Sequence, residues 1–453
     1  MKRKINPGSY ETGLADTVEE RRLSPSFGVR SFWALAPAGP KGLLQGRPVR
    51  GSEGPLFHGC FHMEGMKGTM RRMLAIGSIV AFTLLALPLA RAQDLPRFRW
   101  ENFTAANGLP DNHVFCVLVE GKRIWAGTEN GLGLYENGVW KVFRPADGLA
   151  HQAVLSLAFD KRTGDLWVGT MGGLSRISAG RIDTFTQLNS GLSNDIVYGV
   201  GLQGDYVWTA TAAGASRLNT RTGQWALFNA TNTPMYEIWT YAVTPAPDKV
   251  YYAVWGGGVL EYDQQTGRWK DYNDPDGETE MVVMKDQGLI HEITTSVSYV
   301  DKILWVATYF GASRYDGRNW HNFLTKDSGL PSNFLNQIRG VDANRAWFST
   351  DKGLAYYDGS NWAVYRPALD THKPEMLVRD AAGKVKKIAV QTAPAHNYVL
   401  AVDFQGDDIW VATAHGLSHG IRQKESVSVA KRNSGVPPTV AKASRPRTGS
   451  GTR

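Results

Sequence analysis

Aromatic side chains crowd one stretch of this 453-residue chain. Tyr236, Trp239 and Tyr241 lie close together, and Trp255 follows inside the phrase "VYYAVWGGGV" (Val250–Val259). Flat aromatic faces with polar neighbours hold sugars and planar ligands. Trp255 is read at a place where the other copies of that phrase carry Thr128, Thr170, Thr211, Thr308, Thr350 and Thr413. A ring of polar residues accompanies it: Asn112, Gln152, Asp195, Tyr236, Glu292, Asn333 and Asn397 each precede a strand-like segment. This pattern makes Trp255, Tyr236, Trp239, Asp195, Glu292, Asn112 and Asn333 the candidate ligand contacts. Turn capping and water binding would use the same residue types in the ring. Drift of one repeat with a refilled core would equally explain the aromatics.

Acid–base chemistry has weaker support. His113, His151, His291, His396 and His415 fall near the same face by pattern and read as surface residues. His291 with Glu292, opposite His151, is the pair that would serve a lyase or hydrolase. No nucleophile, base and orienter are spelled together, and there is no Gly-x-Ser-x-Gly, phosphate loop or zinc spacing. "DPDGE" (Asp274–Glu278) alternates carboxylates like a calcium loop but lacks the terminal Glu at the required spacing, so it reads as a solvated loop. No catalytic residue, metal or cofactor is assigned.

The elements that must position these residues are repeats. "RIWAGTENGL" (Arg123–Leu132) returns as "DLWVGTMGGL", "YVWTATAAGA", "VYYAVWGGGV", "ILWVATYFGA", "RAWFSTDKGL" and "DIWVATAHGL", which makes seven copies. Neighbouring copies are mostly about 41–44 residues apart, the length of a four-stranded propeller blade. Period-two alternation and turn glycines divide each unit into strands a, b, c and d. Strand d carries Trp-x-x-Phe or a close variant, as in "NWHNF" (Asn319–Phe323). The Trp of strand b (Trp125, Trp167, Trp208, Trp305, Trp347, Trp410) is expected to fill the gap between blades.

The count of strands d is out of phase. "RFRWENF" (Arg97–Phe103) precedes any a–b–c set, and the last set, "IWVATAHGLSHGI" (Ile409–Ile421), lacks a strand d. The fold expected is therefore all-β: a seven-bladed β-propeller closed by an N-terminal outer strand completing the last blade, with Trp100 and Phe103 beside Trp410. Long insertions, Asn273–Gln287 and Pro367–Pro394, fall between strand d and the next strand a. The second is long enough for an extra hairpin.

Charge divides the chain. Residues 1–92 hold 13 Lys+Arg and 6 Asp+Glu, and residues 422–453 hold 8 and 1, so the middle is left with 29 and 35. A basic fold surface is missing, which excludes a nucleic-acid-binding body. "MKGTMRRM" before the apolar run Leu74–Ala90 and an A-x-A site at Ala90–Ala92 reads as a cleavable secretory signal over 66–92. An uncleaved anchor is the alternative, since the run approaches spanning length. Residues 1–65 read as a mis-start or disordered leader, 93–421 as the propeller, and 422–453 as a disordered basic tail. The expected location is periplasmic or secreted, with no stable membrane span after cleavage. Cys116 reads as a small buried residue.

"GLPSNFLNQIRGVDANRAWFSTDKGLAYYDGSNW" (Gly329–Trp362) resembles the two-component regulator propeller repeat, as do Asp147–Ile177 and Ser190–Leu218. The resemblance implies a periplasmic sensor that binds ligands such as glycans and works with a histidine kinase. No span, kinase His motif or ATP site follows Ile421. The expectation is thus a free-standing module with a small-molecule or glycan ligand and a separate kinase or envelope partner. A protein-docking scaffold ranks second and a propeller enzyme third.

Overall fold

The computed structural model describes residues 95–277 and 283–423, all within one compact unit. The leader, the secretory signal and residues 424–453 of the expected tail lie outside the described residues. Arg422 and Gln423, expected to open that tail, belong to the last blade, Arg422 opposite Phe98 and the Gln423 N–H on the Arg97 carbonyl at 2.8 Å. Among the described residues thirty strands form seven antiparallel sheets, six of four strands and one of six. The innermost strands are β2 (Val114–Glu120), β6 (Val154–Asp160), β10 (Val197–Gln203), β14 (Thr240–Pro245), β18 (Thr294–Val300), β22 (Leu335–Gly340) and β28 (Val399–Gln405). Each contacts the inner strand of the blade on either side, so together they surround a central axis.

The ring closes as the sequence predicts. β1 (Phe98–Phe103) pairs with β30 (Gly416–Arg422), from Phe98 opposite Arg422 to Phe103 opposite Leu417. Beyond β30 come β29 (Asp408–Thr413) and β28, completing the seventh blade. Asp403 of β28 ties this blade to both neighbours: it accepts the Val119 N–H at 2.8 Å and meets Arg339 at 3.1 Å.

The Trp-x-x-Phe spacing has a packing reason. Residues three apart on a strand point to opposite faces. Phe103 therefore stacks on Trp410, centroids 5.5 Å apart, at the seam with the first blade. Trp100 does not join Trp410; it points the other way, against Tyr365 of the sixth blade at 5.9 Å. The same handshake recurs round the ring: Trp140 meets Phe103, Trp225 meets Phe185, Trp269 meets Phe228, Trp320 meets Tyr272 and Trp362 meets Phe323. Only the second blade departs, with Ile182 in the Trp position packing near Phe143.

Seven apolar clusters fill the seven seams. The strand-b Trp residues are buried in six of them, and Tyr251 serves the fourth blade. The glycine of the recurring Gly-Leu pair is placed by the same packing. A Cβ on Gly329 would lie 2.2 Å from Trp362 Cβ, and one on Gly191 would lie 2.3 Å from Trp225 Cβ.

The second insertion is a hairpin, β26 (Pro374–Arg379) and β27 (Val385–Ala389), added outside β25 (Trp362–Pro367). It behaves as a latch on the closure. Met376 is buried in the cluster that holds Phe98 and Trp100. Just after β27, Thr392 Oγ1 accepts the Trp100 N–H at 2.8 Å and the Ala393 carbonyl accepts Asn102 Nδ2 at 3.2 Å. Buried Glu375 binds Arg366 of β25 at 2.8 Å and Lys387 of β27 at 2.7 Å, which ties the hairpin to the blade.

Candidate functional site

One end of the ring gathers the d–a connections and the b–c turns. There every inner strand carries a bulge at its second residue, because pairing slips between Val114 and Cys116 and at the six equivalent places. A bulge frees one residue from the ladder and re-aims its side chain. The freed residues are Phe115, Leu155, Tyr198, Tyr241, Thr295, Asn336 and Leu400. No alternation pattern announces a bulge, so this ring is not visible in the sequence.

Aromatic contacts run unbroken from the third blade to the seventh. Tyr198 stacks on Tyr241 at 4.6 Å, Tyr241 meets Trp255 at 5.2 Å, and Trp255 meets Tyr309 edge-on at 5.8 Å. Tyr309 meets Phe334 at 4.7 Å, and Phe334 meets Tyr398 at 6.3 Å. Trp239 joins through Tyr241 at 6.5 Å. These rings are half-buried. Burial raises the phenol pKa of both Tyr198 and Tyr241, so both hydroxyls are neutral at ordinary pH.

Trp255 is not the residue that replaces Thr. Val254 pairs with Gly258 and Thr240 as Thr128 pairs with Gly131 and Val114, so Val254 holds the Thr position. The following turn is one residue longer than in the other blades, and Trp255 is its first member. In the six regular blades the Thr hydroxyl donates to the carbonyl of the glycine after the turn, as Thr128 does to Gly131 at 2.7 Å and Thr308 to Gly311 at 2.8 Å. In the fourth blade that hydroxyl arrives from next door. Thr294, where most blades have Val or Leu, reaches the Gly258 carbonyl at 2.6 Å and the Val254 carbonyl at 2.9 Å.

The polar ring also needs a shift of register. Two residues before the inner strand the fourth blade has Ile238, not Tyr236. Tyr236 stands further out, 56% exposed, and its hydroxyl donates to the Gly256 carbonyl at 2.7 Å and meets Glu292 Oε2 at 3.1 Å. Tyr236, Glu292 and the Trp255 turn therefore come together. Asn112, Asp195 and Asn333 instead brace their own loops, each accepting a backbone N–H: Ala105 at 2.8 Å, Gln187 at 2.7 Å and Thr325 at 2.8 Å.

Three histidines have a structural duty. His151, His291 and His396 occupy the third place before an inner strand, and Nδ1 of each accepts the N–H two residues on, at 3.0, 3.1 and 3.0 Å. Asp111, Asn194 and Ser332 do the same in other blades. His291 is buried rather than on the surface. An accepting Nδ1 places the proton on Nε2, so a base at His291 would have to break its turn. His396 stacks on His415 at 4.6 Å; burial, then the His415 charge, lower its pKa from 6.5 to about 4. A folded pKa below the unfolded one means stability is present above pH 6.5 and lost as pH falls towards about 4. We expect thermal melts across that window to slope downward, and His396→Asn, which keeps a turn acceptor, to flatten the slope. An unchanged slope in the variant would reject the assignment.

Asp274 departs from the solvated-loop expectation: it is buried, and burial pushes its carboxyl up to about 6. Cys116 is buried and its thiol is pushed up to about 12, which leaves it unreactive. Among the described residues no metal-binding cluster occurs, and no helix is long and apolar enough to cross a membrane.

No family model matches the chain, and no curated protein matches it. Solved structures do. The extracellular domain of the hybrid two component system BT4673 from B. thetaiotaomicron is 18% identical with a TM-score of 0.51, over 72% of this chain and 40% of that one. The corresponding domain of BT3049 is 15% identical with a TM-score of 0.54, over 72% and 42%. Virginiamycin B lyase from Staphylococcus aureus is 14% identical with a TM-score of 0.51, over 72% and 99%. This chain thus spans about two fifths of the two extracellular domains, and at these identities the likeness is one of fold: a seven-bladed propeller similar to the extracellular domains of two-component systems.

Proposed function

We propose that the chain is an exported ligand-binding module, a sensor that holds a small molecule or glycan at the mouth of the ring and reports to a separate signalling or envelope partner. The supporting observation is the aromatic run across five blades, which bends round the mouth where the repeat is broken at Trp255. Trp255 and Trp239 supply stacking surface, and Tyr236 with Glu292 supplies a hydroxyl and a carboxylate beside it. Asn112, Asp195 and Asn333 set the loops that frame the mouth. The extracellular domains with a similar fold belong to two-component systems, which agrees with a sensing role. A docking scaffold is the second reading, favoured by exposed Tyr236, Ile238, Val283 and Met284 on the loops flanking the fourth blade.

Trp255→Ala decides the main point. We expect ligand affinity, found with a glycan array and thermal-shift screen on the wild type, to fall about ten- to hundred-fold. Melting should barely change, because the side chain is half-buried and outside the seam clusters. A large melting loss with unaltered binding would reject the role.

A further inference from the structure

The mouth has a sign of charge and a set of unanswered acceptors. Among the described d–a connections and b–c turns, leaving aside the hairpin latch, Arg144, Lys285, Lys326 and Lys352 are the only lysines and arginines. Acids outnumber them, among them Asp111, Glu129, Asp195, Glu237, Glu292 and Asp351. Lys285 is already paired with Asp327. The turns and connections at the opposite end carry acids and bases in nearly equal number. A cleft of one sign concentrates ligands of the other.

The seam between the sixth and seventh blades shows where a positive group fits. Asn336 Oδ1, Asp351 Oδ1 and Asn397 Oδ1 are buried atoms with no hydrogen-bond partner among the described residues. All three are acceptors. Asn336 is the bulged residue of its inner strand, and its Nδ2 donates to the Val399 carbonyl across the seam at 2.7 Å, so its Oδ1 cannot be exchanged for a donor. Asp351 opens the b–c turn of the sixth blade, the place held by Trp255 and Tyr309 in the two blades before it. Asn397 stands two residues before β28. In five other seams the turn glycine donates to the carbonyl at that place in the next blade, as Gly131 does to Gln152 at 2.8 Å and Gly416 to Asn112 at 2.7 Å. The sixth seam lacks that bond among the described residues, but the same ring geometry sets the Asp351 turn and the Asn397 connection on facing sides of one seam. Phe334, two residues before Asn336, and Tyr398, next to Asn397, end the aromatic run and meet each other at 6.3 Å.

A buried acceptor without a donor costs free energy unless something supplies the hydrogen. Ordered water can do so. A primary ammonium does it better here: it brings three N–H donors and the charge that Asp351 lacks an ion-pair partner for among the described residues. We propose that this seam takes the primary ammonium of an amine-bearing ligand, with the ligand's body lying along Phe334 and Tyr398. This rests on the mouth being the binding site and adds the class of ligand it holds.

Calorimetry with the glucosamine disaccharide and its di-N-acetyl counterpart tests it, because the two share a sugar body and differ in the amine. On the mature protein the amine form should bind at least about tenfold tighter. Asp351→Asn should erase the difference without lowering the melting temperature, and Asn397→Asp, which adds a carboxylate, should widen it. The N-trimethylated disaccharide, charged but without N–H donors, should bind no better than the acetylated one. Equal affinity of the first two sugars, no binding of the amine form, or a preference that survives Asp351→Asn would each overturn the proposal, leaving water as the occupant. Acetylated sugar that binds as well as the amine, and is lost on Trp255→Ala, would sink the amine assignment while sustaining the mouth as the site.

Discussion

A protein beginning after Phe103 is expected to lose its fold cooperatively at a much lower temperature than the full ring, and to associate through the exposed edge of β30. β1 supplies the outer six-residue pairing of the seventh blade and three of its aromatic anchors. Phe98 and Trp100 are buried against Tyr365 and Trp347 on one side, and Phe103 stacks on Trp410 on the other. Truncating a buried aromatic of this kind costs about 3–5 kcal/mol, and a whole domain is stable by about 5–15 kcal/mol. Trp100→Ala alone should therefore consume a large part of the stability, and removal of the strand should exceed it. The latch makes the loss worse, since Thr392 and Ala393 lose the N–H donors they accept from Trp100 and Asn102. A synthetic peptide of residues 95–104 added to the truncated protein should restore the melting temperature in proportion to its concentration. A truncated protein that melts like the intact one would show that the seventh blade stands without β1.

The closure is legible because it is a counting problem: seven strands b, seven strands d, and an offset between them. The seams are legible in part. Trp-x-x-Phe announces itself by recurrence, but recurrence does not say which way a side chain points. Alternation along β1 sends Trp100 to the sixth blade, not to the expected place beside Trp410. The site is harder to see for two reasons. Bulges move a side chain without changing residue type, so Tyr198 and Asn336 look like ordinary strand residues, and Tyr241 stands out only by its aromatic neighbours. The extra turn residue in the fourth blade slides Trp255 into apparent alignment with Thr, when Val254 is the true substitute. Roles shared across a seam are invisible to a reading that takes one unit at a time. The histidines show a third limit: the same ring nitrogen can cap a turn or take a proton, and only the donor it faces decides.

The exchange across the fourth seam can be tested as a reversed pair. Regular seams place Thr on strand b and an aliphatic residue at the start of the next inner strand, as with Thr128 and Val154. Here Val254 faces Thr294, and both are buried. Thr294→Val should leave the Val254 and Gly258 carbonyls without their hydroxyl, at a cost of about 1–3 kcal/mol. Val254→Thr alone should be nearly neutral, since the third seam already holds Thr211 against Thr240, both buried. The double variant restores the regular arrangement. Its hydroxyl returns to strand b, donates to the Gly258 carbonyl as Thr128 does to Gly131, and should recover most of the loss. Denaturant melts of the four proteins give the coupling directly; additivity within about 0.3–0.5 kcal/mol would mean the two sites are independent. The same four proteins connect seam to site. Gly258 closes the turn that Trp255 opens, and its own N–H is held by the Glu292 carbonyl at 2.9 Å. If the borrowed hydroxyl fixes that turn, Thr294→Val should weaken ligand binding without touching the ring of Trp255, and the double variant should bring it back. Binding that ignores Thr294 while stability responds would confine the exchange to folding.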